Sequence, residues 1–222
     1  MAQISKDTFK FLKELDANNN RDWFKANKSR YDEIRDSFVL FMAEMIDRIA
    51  VFDPSVEGLD PKKCVMRIYR DVRFSKDKTP YNLHISGHIV GGGRKNEHGR
   101  AGYYVRMEAG KSFLAGGAHL PPSPWMTSIR KEIAENGDEL RAIINAAPFK
   151  KYFGEIEGDR LKTAPKGYPK DHPEIELLRY KSLLAVHHCA NKQVLAADFA
   201  DYCFEVFTAL HPFDAFLNRG AV

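Results

Sequence analysis

Between Cys64 and Leu120 the repeat of the apolar residues shortens from about 3.6, the period of a helix face, to about 2, the period of a strand face. That switch limits the possible folds more than any other feature of the chain. Four short runs carry the shorter repeat: CVMRIYRDVRF, NLHISGHIV, GYYVRME and SFLAGGAHL. They predict an antiparallel meander, with the glycine-rich GGGRKNEHGRAG as a long connection between the second and third runs. GGGRK lacks the spacing of a phosphate loop and leads into a strand where a helix would be needed, so that reading is rejected.

Helical spacing governs both flanks. Ser5 is placed to cap a helix carrying Phe9, Leu12 and Leu15, and Asn18, Asn19 and Asn20 break it. A long second helix follows, with Phe24, Tyr31, Ile34, Phe38, Phe41, Met42, Met45, Ile46 and Ile49 recurring until Asp53 and Pro54 stop the pattern. Beyond LPPSP, a helix capped by Ser123 runs to Asn136 and Gly137, and DELRAIINA forms a second one. The proline-rich LKTAPKGYPKDHPEIELLRY reads as an ordered loop, SLLAVHHC as a fifth strand, and LAADFADYCFEVFTAL as a closing helix with Phe199, Cys203, Val206, Phe207 and Leu210 inward.

The expected architecture is therefore α+β. One domain spans residues 1–222, an antiparallel β-meander of four to five strands packed on one face by helices. The amino-terminal helices fall in 1–53, the meander in 64–120, and the remaining helices, PKGY loop, fifth strand and last helix in 123–222. A hydrophobic content of 44% suffices for one substantial core. The formal charge of +4 is too small for a chain that coats nucleic acid, so any affinity for anions must come from local clustering. Cys64, Cys189 and Cys203 form an odd, scattered set without CxxC spacing, which argues against disulfides and points to a reducing cytoplasm. No signal peptide or run of about 20 apolar residues is present, so neither secretion nor membrane insertion is expected.

Strand parity sorts the side chains by face. In the first run Met66, Ile68, Val72 and Phe74 share one side, and Arg67, Tyr69, Asp71 and Arg73 the other. His84, Ser86 and His88 oppose Leu83, Ile85 and Ile89 in the second, and Tyr104, Arg106 and Glu108 oppose Tyr103, Val105 and Met107 in the third. Three successive strands thus present Arg, Tyr, His and Ser where an idle surface would carry Lys, Glu and Thr. Guanidinium forks pair with oxyanions and aromatic rings stack on planar groups.

Arg70 breaks parity by siding with the apolar residues, which predicts a structural ion pair with a carboxylate or backbone carbonyls around its guanidinium. Gly116 and Gly117 inside the fourth run predict a β-bulge, or close approach of another group. His187 and Cys189 share strand parity, but two ligands do not make a zinc site, and neither a metal nor a cofactor is expected. No GxSxG or HExxH motif is present.

The segments NNNRDWFKANKSRYDEIR, RIYRDVRFSKDKTPYN and PKGYPKDHPEIELLRYKS resemble the uncharacterised family catalogued as domain of unknown function 2461. The resemblance extends over nearly the whole chain. It implies a compact α+β domain, and it implies no activity, cofactor or catalytic residue. The residues themselves suggest a cytoplasmic protein that binds a small anionic, phosphorylated or carboxylated, ligand on the sheet face and the adjoining RFSKDK turn. Arg67, Arg73, Lys76, Lys78 and Arg106 would supply charge, Tyr69, Tyr81 and Tyr104 the walls, and Lys166 a second cationic site; His84 or Asp71 would move a proton if there is catalysis. The rival readings are a nucleic-acid-binding module and a structural or interaction domain without a small ligand.

Overall fold

The computed structural model describes residues 3–96 and 98–221. Helices α1 (Asp7–Ala17) and α2 (Arg21–Ala26) lead into α3 (Lys28–Ile49). The expected long second helix is therefore two. Asn27 interrupts it with φ −108° and ψ 14°, its side-chain amide donating to the Trp23 carbonyl at 2.9 Å in competition with the helical bonds. Asn20 caps α2 by accepting from the Trp23 N–H. The apolar stripe of α3, from Tyr31 to Ile49, is buried.

A short helix, α4 (Pro61–Cys64), precedes the sheet, whose strands are β1 (Ile85–Ile89), β2 (Tyr103–Met107) and β3 (Ser112–Ala118). Then come α5 (Ser123–Asn145), α6 (Ala147–Phe153), α7 (Ile175–Leu178), β4 (Leu183–Cys189), α8 (Asn191–Val194) and α9 (Phe199–Asn218). The expected helix end at Asn136 is instead a kink within α5, where φ is −130° and ψ 31°. The four strands pair antiparallel in the order β1-β2-β3-β4, so the fold is α+β.

Helices cover one face of this sheet. Gly87 lies under Met42 and Phe38 of α3, Gly116 under Leu210 and Asp214 of α9, and His187 meets α6 at the Tyr152 carbonyl. Phe41 of α3 stacks on Phe199 of α9 at 5.7 Å, joining the two long helices over the sheet.

The first of the four expected strand runs is a hairpin arm held by isolated bridges, Val65 to Gly87 and Tyr69 to Tyr81. From Asp71 the backbone leaves strand geometry. Asp71 accepts from the Arg73 N–H at 3.2 Å and Asp77 from the Thr79 N–H at 2.9 Å, and two such turns close the loop locally. Phe74, expected among the core residues, is consequently 96% exposed.

The glycine pair is a second correction. Pairing of β3 with β4 runs unbroken from Ser112–Cys189 to Ala118–Leu183, so there is no bulge. A Cβ on Gly116 would lie 2.4 Å from Leu210 Cδ2, and Gly117 has φ +107° with the Leu183 carbonyl 2.1 Å from where its Cβ would be. Close approach of α9 and of the neighbouring strand is what requires glycine here.

Candidate functional site

Register assembles the polar residues on the face that the helices leave open. Ser86 lies opposite Arg106, His88 opposite Tyr104, and Phe113 opposite both Arg106 and His188. Four rings form a row with one member on each strand. The centroids of His88 and Tyr104 are 6.1 Å apart, those of Tyr104 and Phe113 5.7 Å, and those of Phe113 and His188 6.1 Å. His88, Tyr104 and Phe113 are half-buried and His188 is exposed.

Arg106 crosses this row, its guanidinium carbon 5.7 Å from the Phe113 centroid. Its Nε donates to Glu108 Oε2 at 2.8 Å, and its Nη2 bonds the same oxygen. Nη1 has no hydrogen-bond partner among the described residues. Lys111 approaches Glu108 Oε1 at 3.9 Å, so two cations face one carboxylate. His84 and His88 add no charge at neutral pH. Burial lowers the pKa of His84 to about 4, with Arg106 reinforcing the shift and Glu108 opposing it, and burial with a smaller effect of His98 lowers that of His88 to about 4.

The RDVRFSKDKTPYN segment makes a different structure on the β1 side of the sheet. Arg70 Nη1 donates to Asp77 Oδ2 at 2.6 Å and to the Thr79 carbonyl at 3.0 Å, and also bonds the Thr79 hydroxyl. Lys78 donates to the Val72 carbonyl at 2.9 Å across the loop. Arg73 pairs with Asp71 through Nε at 3.0 Å and Nη2 at 2.7 Å, which with the Arg73 N–H lowers the Asp71 pKa to about 2 and keeps that carboxylate ionised. Arg67 and Lys76 are exposed.

Tyr81 belongs to the core, and Tyr69, 52% exposed, packs over it on the hairpin rather than on the sheet face. Tyr81 is 4% exposed and stacks on Phe24 with centroids 4.0 Å apart, while Tyr69 leans on both rings. Asn19 completes the junction. Its amide donates to the Tyr81 carbonyl at 3.0 Å and its oxygen accepts from the Tyr81 N–H at 3.1 Å, as a neighbouring strand would do.

A family model described as "Conserved hypothetical protein (DUF2461)" matches residues 7–216. The chain belongs to the DUF2461 family. No curated protein and no solved structure shows significant similarity to it.

In this DUF2461 chain the candidate residues thus fall into three groups. Tyr104 and Arg106 share the open sheet face, and His84, in the bend just before β1, feels the charges of Arg106 and Glu108; Arg67, Tyr69, Arg70, Asp71, Arg73, Lys76, Lys78 and Tyr81 make up the hairpin; Lys166 occupies an exposed turn between buried Pro165 and Gly167, whose φ is +92°. Among the described residues no hydrogen bond or ion pair joins Lys166 to the other two groups. The sequence reading missed Phe113. Its parity in SFLAGGAHL sets it apart from Ser112 and Leu114, but only strand pairing brings it to Arg106 and His188.

His187 and Cys189 lie on the helix-covered face of the DUF2461 sheet. Both nitrogens of His187 are occupied, Nδ1 at 2.7 Å from the Tyr152 carbonyl and Nε2 at 2.6 Å from the Tyr202 hydroxyl. Among the described residues no cluster of three or more His, Cys, Asp or Glu is placed to hold a metal ion, and no helix is long and apolar enough to cross a membrane.

Proposed function

We propose that this DUF2461 chain binds a small anionic ligand, phosphorylated or carboxylated, on the open face of its sheet. The observation that carries the reading is Arg106. Its guanidinium is held on one side by Glu108 and underlain by Phe113, which leaves Nη1 as a pre-oriented donor on the open face. Neutral His84, whose titration senses Arg106, supplies a further donor and acceptor, and its lone pair can take a proton. The exposed cations Arg67, Arg73 and Lys76 raise the local anion concentration on the β1 side without holding the ligand themselves.

The test is a thermal-shift and calorimetric screen with sugar phosphates, nucleotides and organic acids, repeated on Arg106→Gln. Losing one charged hydrogen bond should weaken each hit by about tenfold or more. Hits that bind Arg106→Gln as tightly as the unaltered protein would sink the assignment.

A further inference from the structure

The open face carries more than a charge. Its ring row crosses all four strands, and beside it β3 falls away in size from Phe113 to Ala115 to Gly117 on the same face. Ala115, itself only 7% exposed, lies opposite both Tyr104 and Val186, so the surface beside the rings is low and apolar one same-face step from Phe113. A seat of this kind matches a flat ring, which packs against aromatic and guanidinium planes at little entropic cost. A ligand made of phosphate or carboxylate alone would use Nη1 and leave the row and its floor untouched.

Resting on the anion-site reading above, we infer that the ligand is a planar heteroaromatic acid: a flat ring packed on Tyr104 and Phe113 in the middle of the row, with an acidic group reaching Arg106 Nη1. The nucleoside monophosphates are the representative class. The uncharged imidazole of His88 fits this division of labour, because that end of the row adds no charge while the guanidinium takes the anion. Cross-strand aromatic pairs also stabilise sheets, so loss of stability in a ring variant is not the readout that matters.

The experiment compares ring-bearing acids with ring-free or saturated partners by calorimetry: the four common nucleoside monophosphates against ribose 5-phosphate, and benzoate against cyclohexanecarboxylate. The expected result is at least one ring-bearing acid bound about tenfold more tightly than its partner, the scale of one stacked ring. Tyr104→Leu, checked for unchanged far-UV dichroism, should remove that preference and leave ribose 5-phosphate binding within about twofold; the β-branched Tyr104→Ile serves if Tyr104→Leu fails to fold. Equal binding of both members of every pair, each weakened by Arg106→Gln, would overturn the ring and keep the anion site. No binding by either member, or no effect of Arg106→Gln, would overturn both. A single-stranded oligonucleotide that binds with a steep salt dependence while every mononucleotide fails would also overturn the small-ligand inference.

Discussion

The buried carboxylate of Asp214 rests directly on the backbone of Gly116, where a Cβ would come within 2.7 Å of Oδ2. Leu210, one helical turn before it, meets the same spot. Glycine at this position lets α9 settle onto β3, and the helix brings an acid into the core. Gly116→Ala should cost about 1–3 kcal/mol by overpacking. Gly117→Ala adds a left-handed φ and a carbonyl clash, so it should cost about 3 kcal/mol or more. Urea denaturation of the two variants checks both the costs and their order.

Asp214 also sets a pH dependence. Burial pushes its pKa well above the ordinary 3.8, opposed by the nearby Gly117 N–H dipole and reinforced by Asp53, while neither carboxylate oxygen has a hydrogen-bond partner among the described residues. A raised folded pKa means that the folded state binds the proton more tightly. This contribution is complete below about pH 4 and is lost as pH rises through the folded value. Asp214→Asn, neutral at every pH, should therefore gain on the unaltered protein above about pH 4, by up to about 1.4 kcal/mol per pH unit. Stability differences measured across the pH range that stay flat would contradict this.

His84 and His88 act in the opposite direction. Their folded pKa values of about 4 lie below the ordinary 6.5, so the unfolded chain takes up protons first. The stability they confer is present above about pH 6.5 and is lost as pH falls through about 4. Nuclear magnetic resonance should show neither ring titrating between about pH 5.5 and 8. His88→Gln should make the acid limb of the stability curve shallower, provided the variant keeps the native fold by dichroism.

Arg70 holds the 71–79 loop shut through Asp77 and the Thr79 carbonyl, with Lys78 adding a strap to Val72. Arg70→Met should leave the core intact and lower Tm modestly. Trypsin should then cut after Lys76 and Lys78 several-fold faster, because opening of the loop governs access. Unchanged cleavage would show that the two aspartate turns alone hold the loop.

The three thiols are buried and free. Burial raises the pKa of Cys64 to about 11 and of Cys189 to about 12, and pushes that of Cys203 well up. None should react with a thiol reagent in the native protein at neutral pH, and all three should react in guanidinium. Rapid native labelling of any one would locate a site of local opening.

Local pattern determined the α+β class, the meander from Ile85 to Ala118, the strand at SLLAVHHC and the buried stripes of α3 and α9, because each follows from a period that the chain carries within itself. Parity also placed His84, Ser86 and His88 on one side of their run, and Tyr104, Arg106 and Glu108 on one side of theirs. Where alternation was trusted too far, in RIYRDVRF, aspartate side chains captured backbone N–H groups and turned a strand pattern into a loop. Those are local bonds, legible in principle from the spacing of Asp71 before Arg73 and of Asp77 before Thr79.

What only the tertiary structure decided is which face met which neighbour. Pairing from β1 across to β4 made a ring row from residues up to 100 positions apart, and the docking of α9 on Gly116 and of β4 against Gly117 gave the two glycines their purpose. The junction of Asn19 and Phe24 with Tyr81 likewise turned one tyrosine of a cationic motif into core. The physical reason is that periodicity fixes the direction of a side chain relative to its own strand or helix, whereas register and docking are set by the packing of the whole core.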